Sequence, residues 1–317
     1  MIGKRLRLLI PLVLGGVFLA GAAGADAGGM RMGIFALWAQ NPDGADLGGR
    51  ETNIRAWEET LRLPASSLLA LDYYGNETWE EMISRQWVPG YWARRNPNRK
   101  LIWSIPLTMK GTPLSDVVKG LHDAEFRFGA RAIAQSQPDA IIRIGWEMNG
   151  AWFAWAAAGH EADYIAAYRR VAAIFREASP KFSFDWCANW GLNAGPADLA
   201  YPGDDFVDTI GMDVYDVKTD KEPVARWRDE VLNTPYGLRW LEHFAAQHGK
   251  RMSVGEWGLG LKGAPDNPYF MDRMSEWLGD HAGRIAFHVY FDMPPLNDGK
   301  FPKGRERFIK LFSATGR

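Results

Sequence analysis

The sequence lacks most of the features that assign a function quickly. It has a single cysteine, Cys187, so no internal disulfide can form. The setting of Cys187 at the end of the apolar stretch 182–187 suggests a buried strand residue and not a nucleophile. Net charge is only −1, which removes the electrostatic footprint that nucleic acid or an anionic membrane surface would need. There are six histidines but no H-E-x-x-H or other close His/Asp grouping of the metal-site type, so neither a metal nor another cofactor is expected. There is no G-x-S-x-G elbow, no P-loop and no G-x-G-x-x-G turn. The apolar run 8–19 follows the basic residues Lys4, Arg5 and Arg7 and precedes Ala25-Asp26-Ala27. That order is the pattern of a secretory signal peptide, residues 1–27, and the run is short for a span of about 20 residues. The expectation is a secreted or periplasmic protein with no membrane span in its mature form. A retained N-terminal anchor is the rival.

What is abundant is aromatic: 15 Trp, 16 Phe and 10 Tyr in 317 residues, within a hydrophobic content of 47%. That many indoles in one domain favour a cleft that stacks sugar rings. Strand-like and helix-like segments alternate: strands at 32–38, 67–73, 101–106, 140–144, 182–187, 207–214, 251–255 and 285–290. Helices are expected at 54–63, 78–87, from Leu114 through Val117, Val118 and Leu121, along Tyr164, Tyr168, Val171 and Phe175, over 224–248 with a break near Pro235, and at 305–313. Eight strands in this alternation predict one (β/α)8 TIM barrel over residues 30–317. An open doubly wound sheet is weakened by the missing Gly-rich turn. No linker, repeat or low-complexity tract divides the chain, which reads as a monomer.

The densest stretch is Arg143-Ile144-Gly145-Trp146-Glu147-Met148-Asn149-Gly150-Ala151-Trp152-Phe153-Ala154-Trp155. A glutamate where a buried strand ends, walled by indoles, is desolvated, and its pKa should rise toward the range of a general acid. In a barrel, sites collect at the C-terminal ends of the strands. Asp72, Tyr73, Asn189, Trp190, Asp213, Tyr215, Glu256, Trp257, Tyr290 and Asp292 all fall at predicted strand ends. Glu256, in Met252-Ser253-Val254-Gly255-Glu256-Trp257-Gly258, is the second catalytic candidate.

Arg-x-x-x-Glu-Met-Asn-Gly-x-Trp-Phe-x-Trp resembles the acid/base signature of glycoside hydrolase family 26, the β-mannanase-type family of (β/α)8 retaining endo-glycosidases. The resemblance is good over strands four to seven and slight before strand three. It implies Glu147 as acid/base and Glu256 as nucleophile in a double displacement on a β-linked polysaccharide. It implies Arg143 beside a carboxylate, Asp213 and Tyr215 as the strand-six Asp-x-Tyr, with Tyr215 donating to the nucleophile, and Trp152 as a stacking platform. Asn149, within the Glu-Met-Asn-Gly core, and Asn189 join the substrate-binding set. Trp155, Trp190 and Trp257 are further platform candidates, with Tyr290 and His288 candidates on strand eight. Trp146 stands where the family usually has a histidine, which leaves open whether the polysaccharide is mannan, a related β-glycan or a bacterial exopolysaccharide. Two rivals remain: a non-catalytic exported carbohydrate-binding barrel, which would not need paired carboxylates, and a membrane-tethered envelope protein.

Overall fold

The computed structural model describes residues 30–36, 54, 57–62, 68–72, 77–261, 263–292, 296 and 299–313. The signal segment and Tyr73 lie outside them. Eight parallel strands close into one barrel in sequential order. They are β1 (Arg31–Ala36), β2 (Leu68–Asp72), β3 (Leu101–Ile105), β4 (Ile141–Ile144), β5 (Ser183–Asn189), β6 (Thr209–Val217), β7 (Arg251–Leu261) and β8 (Ile285–Asp292). β8 returns to pair with β1 from Arg31↔Phe287 to Ala36↔Asp292.

Alternation along each strand separates two apolar layers. Phe35, Ile102, Ile141, Phe287, Val289 and Phe291 pack together in the lumen. Ile34, Trp103, Ile142, Ile144, Trp186, Val254 and Trp257 belong to the larger cluster between barrel and helices. That outer layer includes α6 (Glu161–Ala178), whose Tyr164, Tyr168, Val171 and Phe175 are buried as their i, i+4, i+7, i+11 spacing predicts.

The helical layer is richer than the sequence reading. Residues 57–61 form α1; the helix expected at 78–87 is the shorter α2 (Trp79–Ser84), and a second one that was not expected, α3 (Val88–Arg95), follows it. Pro89 is the second residue of α3, and its fixed φ suits a first helical turn. The helix expected through Leu121 ends earlier, as α4 (Leu114–Val118). Gly120 at φ +82 breaks it, Leu121 is 63% exposed, and α5 (Asp123–Ser136) begins afresh. The region 224–248 is α7 (Pro223–Arg226), a π-helical turn (Trp227–Leu232) and α8 (Leu238–Gln247), so the break near Pro235 is present. The layer closes with α9 (Pro268–Asp280), which the sequence reading left out, and α10 (Pro302–Phe312). No helix among the described residues is long and apolar enough to cross a membrane.

One irregularity positions the site. Gly211↔Ser253 is followed by Asp213↔Glu256, and Val254↔His288 by Trp257↔Tyr290. Both neighbours therefore advance two residues while β7 advances three, which is a bulge at Val254–Glu256. Simple alternation from Ser253 would turn Gly255 and Trp257 inward and Glu256 outward. The bulge turns Gly255 and Glu256 both inward. A Cβ on Gly255 would lie 3.0 Å from Asp213 Oδ1 and 3.1 Å from Arg143 Nε and Cys187 Sγ, so only glycine fits there without displacing the groups below.

Candidate active site

The lumen changes character toward the C-terminal ends of β4 to β7. Arg143, on β4, is buried, and its side chain crosses beneath the opening. Nη1 donates to Glu256 Oε1 at 2.6 Å, and Nη2 donates to Asp213 and, at 3.6 Å, to Cys187 Sγ. Burial works against the guanidinium charge, but the carboxylates of Asp213 and Glu256 outweigh it and hold the group firmly protonated. Tyr215 donates its hydroxyl to Glu256 Oε2 at 2.5 Å. Burial and the neighbouring Glu256 push its phenol well above the ordinary tyrosine value, so it remains a donor. Cys187 lies below, its thiol pushed up by burial and by Asp213, in keeping with an inert strand residue.

Glu147 stands across from this group. The chain leaves β4 at Gly145, and the Glu147 N–H docks on the Cys187 carbonyl of β5 at 2.8 Å. Its own backbone is left-handed, φ +54, a conformation costing a non-glycine residue about 1–2 kcal/mol. Asn189 Nδ2 donates to Glu147 Oε1 at 2.5 Å, and Trp152 Nε1 to Oε2 at 2.7 Å. Burial, then the charge of Glu256, pushes the Glu147 carboxyl up to about 7; the two N–H donors and Arg143 pull the other way. One carboxylate oxygen each from Glu147, Asp213 and Glu256 lies within 4.8 Å of the others. Such a trio could hold a cation, but the Arg143 guanidinium already bonds two of its members and supplies that positive charge.

The other expected residues divide between cleft and packing. Trp152 is 50% exposed, and its indole lies across Gly150, where any Cβ would overlap the ring. It also helps to line a cavity with Glu77, Lys110, Thr112 and Phe153. Trp190 is half-buried, its ring 6.2 Å from that of Tyr215. Trp146 is nearly buried: it packs against Phe153 and Trp155 at 5.0 and 4.8 Å and lies 5.5 Å from the Arg143 guanidinium. Asn149 faces the protein and not the opening. Its Nδ2 donates to the carbonyls of Asn189 and Gly191, and its Oδ1 accepts from the Asn189 N–H.

Trp257, Tyr290, His288 and Trp155 are corrected by their surroundings. Trp257 is fully buried against Phe270, Phe308 and Phe312 and donates to His288 Nδ1. The bulge has turned it toward the helices. Tyr290 is fully buried 4.2 Å from Phe308, and His288 is in the same layer. Trp155 is buried, stacked on Phe153, with Nε1 donating to the Trp146 carbonyl. Asp292 binds Trp57 Nε1 and the Leu296 N–H, a structural role. The β8 residue that does reach the lumen beside Tyr215 is Phe291. It stacks on Phe35 at 3.9 Å and meets Tyr215 edge-on. It went unselected because its parity is opposite to that of Tyr290, a signal that alternation from Phe287 carries.

Fold and site together define a (β/α)8 barrel with a buried carboxylate–guanidinium cluster at its C-terminal mouth. The glycosyl hydrolase family 26 model matches residues 129–246, and the chain is a family 26-like barrel. A stretch of 123 residues is 28% identical to a mannan endo-1,4-beta-mannosidase of Bifidobacterium adolescentis, covering 37% of this chain and 12% of that protein. Another, of 133 residues, is 30% identical to endoglucanase H of Acetivibrio thermocellus, covering 38% and 15%. The matches thus span about an eighth to a seventh of these curated relatives. Among solved structures, the catalytic domain of a Bacillus sp. JAMB-750 family 26 endo-beta-1,4-mannanase superposes with a TM-score of 0.64 at 18% identity, over 91% of this chain and 86% of that one. A Bacillus subtilis mannanase gives 0.59 at 14%, over 90% and 85%. At these identities the likeness is one of fold.

Proposed function

We propose that the protein is an exported, endo-acting glycoside hydrolase that cleaves a β-linked polysaccharide with retention of configuration. The observation that carries the reading is the pair of buried glutamates with carboxylate oxygens within 4.8 Å of each other. Retaining pairs are spaced about 5–5.5 Å apart, whereas inverting pairs leave about 6.5–9.5 Å for a water. In the first step a Glu256 oxygen attacks the anomeric carbon while the glycosidic C–O bond breaks, and Glu147 gives its proton to the departing oxygen. In the second, the Glu147 carboxylate takes a proton from water, whose oxygen attacks the same carbon and releases Glu256. Arg143 and Tyr215 each donate to one oxygen of Glu256 and aim it, and Asp213 anchors Arg143. Trp152 and Trp190 offer ring faces at the opening.

For the substrate, the mannanase and endoglucanase names among the relatives support a 1,4-β-linked mannan or glucan type, and mannan is the first to test. The experiment is a digest of mannan, glucomannan, β-glucan, xylan and bacterial exopolysaccharides, with the anomer of the nascent reducing end followed by proton NMR. Early release of the β-anomer as internal chain cuts is expected. An initial α-anomer would refute retention. Binding without any new reducing end would favour the non-catalytic barrel.

A further inference from the structure

The acid/base reading of Glu147 leaves one question: what makes Asn189 present its nitrogen, and not its oxygen, to that carboxylate? An asparagine amide fits either way round, and only one way supplies a donor. The answer lies four residues further along, in the loop after β5. Asn193 Nδ2 sits 2.9 Å from the Trp190 carbonyl and 3.2 Å from the Gly191 carbonyl. Backbone carbonyls only accept, so the atom facing them must be the Asn193 nitrogen. The same nitrogen lies 3.1 Å from the Asn189 side chain, so that neighbour must be the Asn189 oxygen. The remaining end of the Asn189 amide, its N–H, then points to Glu147 Oε1. Asn189 is fixed at its backbone as well, its N–H and carbonyl both held by Asn149.

We infer that Asn193 is a positioning residue for the reaction: by locking the Asn189 amide it presents an N–H to the acid/base carboxylate. Asn193 itself is exposed at the rim and left-handed, φ +50, a conformation that asparagine and glycine tolerate. The inference rests on the proposed role of Glu147. The other groups facing Glu147 are Trp152 from its own loop, Arg143 from β4, Asp213 and Tyr215 from β6 and Glu256 from β7. None of them contacts Asn193 in the hydrogen-bond network described, so its loss leaves their charges in place. What it changes is the one donor on Oε1. A donor to the ionised carboxylate lowers the pKa, and without the lock that pull weakens.

The test is Asn193→Gly, which keeps a residue suited to the left-handed turn. The expected result is a three- to tenfold lower kcat with KM within twofold, and an alkaline limb of kcat/KM moved upward by roughly half to one pH unit, at an unchanged melting temperature. In an Asn189→Ala background the same substitution should add nothing further. Equal effects in the two backgrounds, or a limb that does not move, would overturn the inference. Full activity in Glu147→Ala would instead remove the acid/base reading beneath it, so the two failures are told apart.

Discussion

Glu147 and Glu256 are chemically the same side chain, equally buried at 8% exposure, yet their surroundings differ in kind. Glu256 is met by a guanidinium and a phenol, Glu147 by an amide and an indole. A full positive charge bonds Glu256 and only neutral donors bond Glu147, whose carboxyl burial and the neighbouring Glu256 push up to about 7. Two identical residues are thereby given different electrostatic settings, and the difference lies in their partners and not in their depth.

Removing either carboxylate should have the largest effect. Glu256→Ala and Glu147→Ala should each lower kcat by about 10³-fold or more. Azide should restore turnover of an activated substrate with formation of a glycosyl azide: the α-azide in the first variant and the β-azide in the second. The opposite pairing of anomers would exchange the two roles. Next comes Arg143→Met, which leaves Asp213 and Glu256 buried without their cation and should cost about 3–5 kcal/mol of stability. A denaturant midpoint equal to wild type would show that the guanidinium is dispensable to the contrast.

The pH dependence comes third. Between about pH 4.5 and 7 the unfolded chain releases the Glu147 proton while the folded chain keeps it, so stability falls as pH rises through that window and levels off above it. The limiting loss is about 3 kcal/mol, at roughly 1.4 kcal/mol per pH unit. Glu147→Gln should flatten that slope, and in wild type kcat/KM should decline above about pH 7 as the acid loses its proton. An unaltered stability slope in the Gln variant would move the raised group elsewhere. Smallest is Trp152→Phe, which keeps a ring at the opening and removes the indole N–H. It should reduce kcat/KM by about 3- to 10-fold, in line with a loss of roughly 1 kcal/mol, with little change in melting temperature.

Much of this was legible in the sequence. The closed barrel, the order of its strands, and the meeting of Arg143, Glu147, Asp213, Tyr215 and Glu256 follow from alternation and from one motif. Trp257 and Tyr290 were misread because position at a strand end does not say which face a side chain takes. On β7 the face depends on a one-residue bulge, which needs the pairing partners to be seen. Helices α3, α5 and α9 escaped because Pro89, Gly120 and Pro268 punctuate stretches whose apolar spacing is mixed. The role of Asn149 in binding β5 carbonyls, and that of Asn193, leave no periodic trace at all, since a loop amide is defined by whichever oxygens happen to surround it.

The left-handed backbone of Glu147 has a consequence for how such a protein changes over generations. Its carboxylate is desolvated and its φ of +54 is one that glycine or asparagine would adopt more easily. Replacing it with either residue should relieve both burdens and make a sturdier molecule that no longer turns over. A library screened for heat resistance alone should drift toward that replacement, whereas one screened for turnover should keep the glutamate.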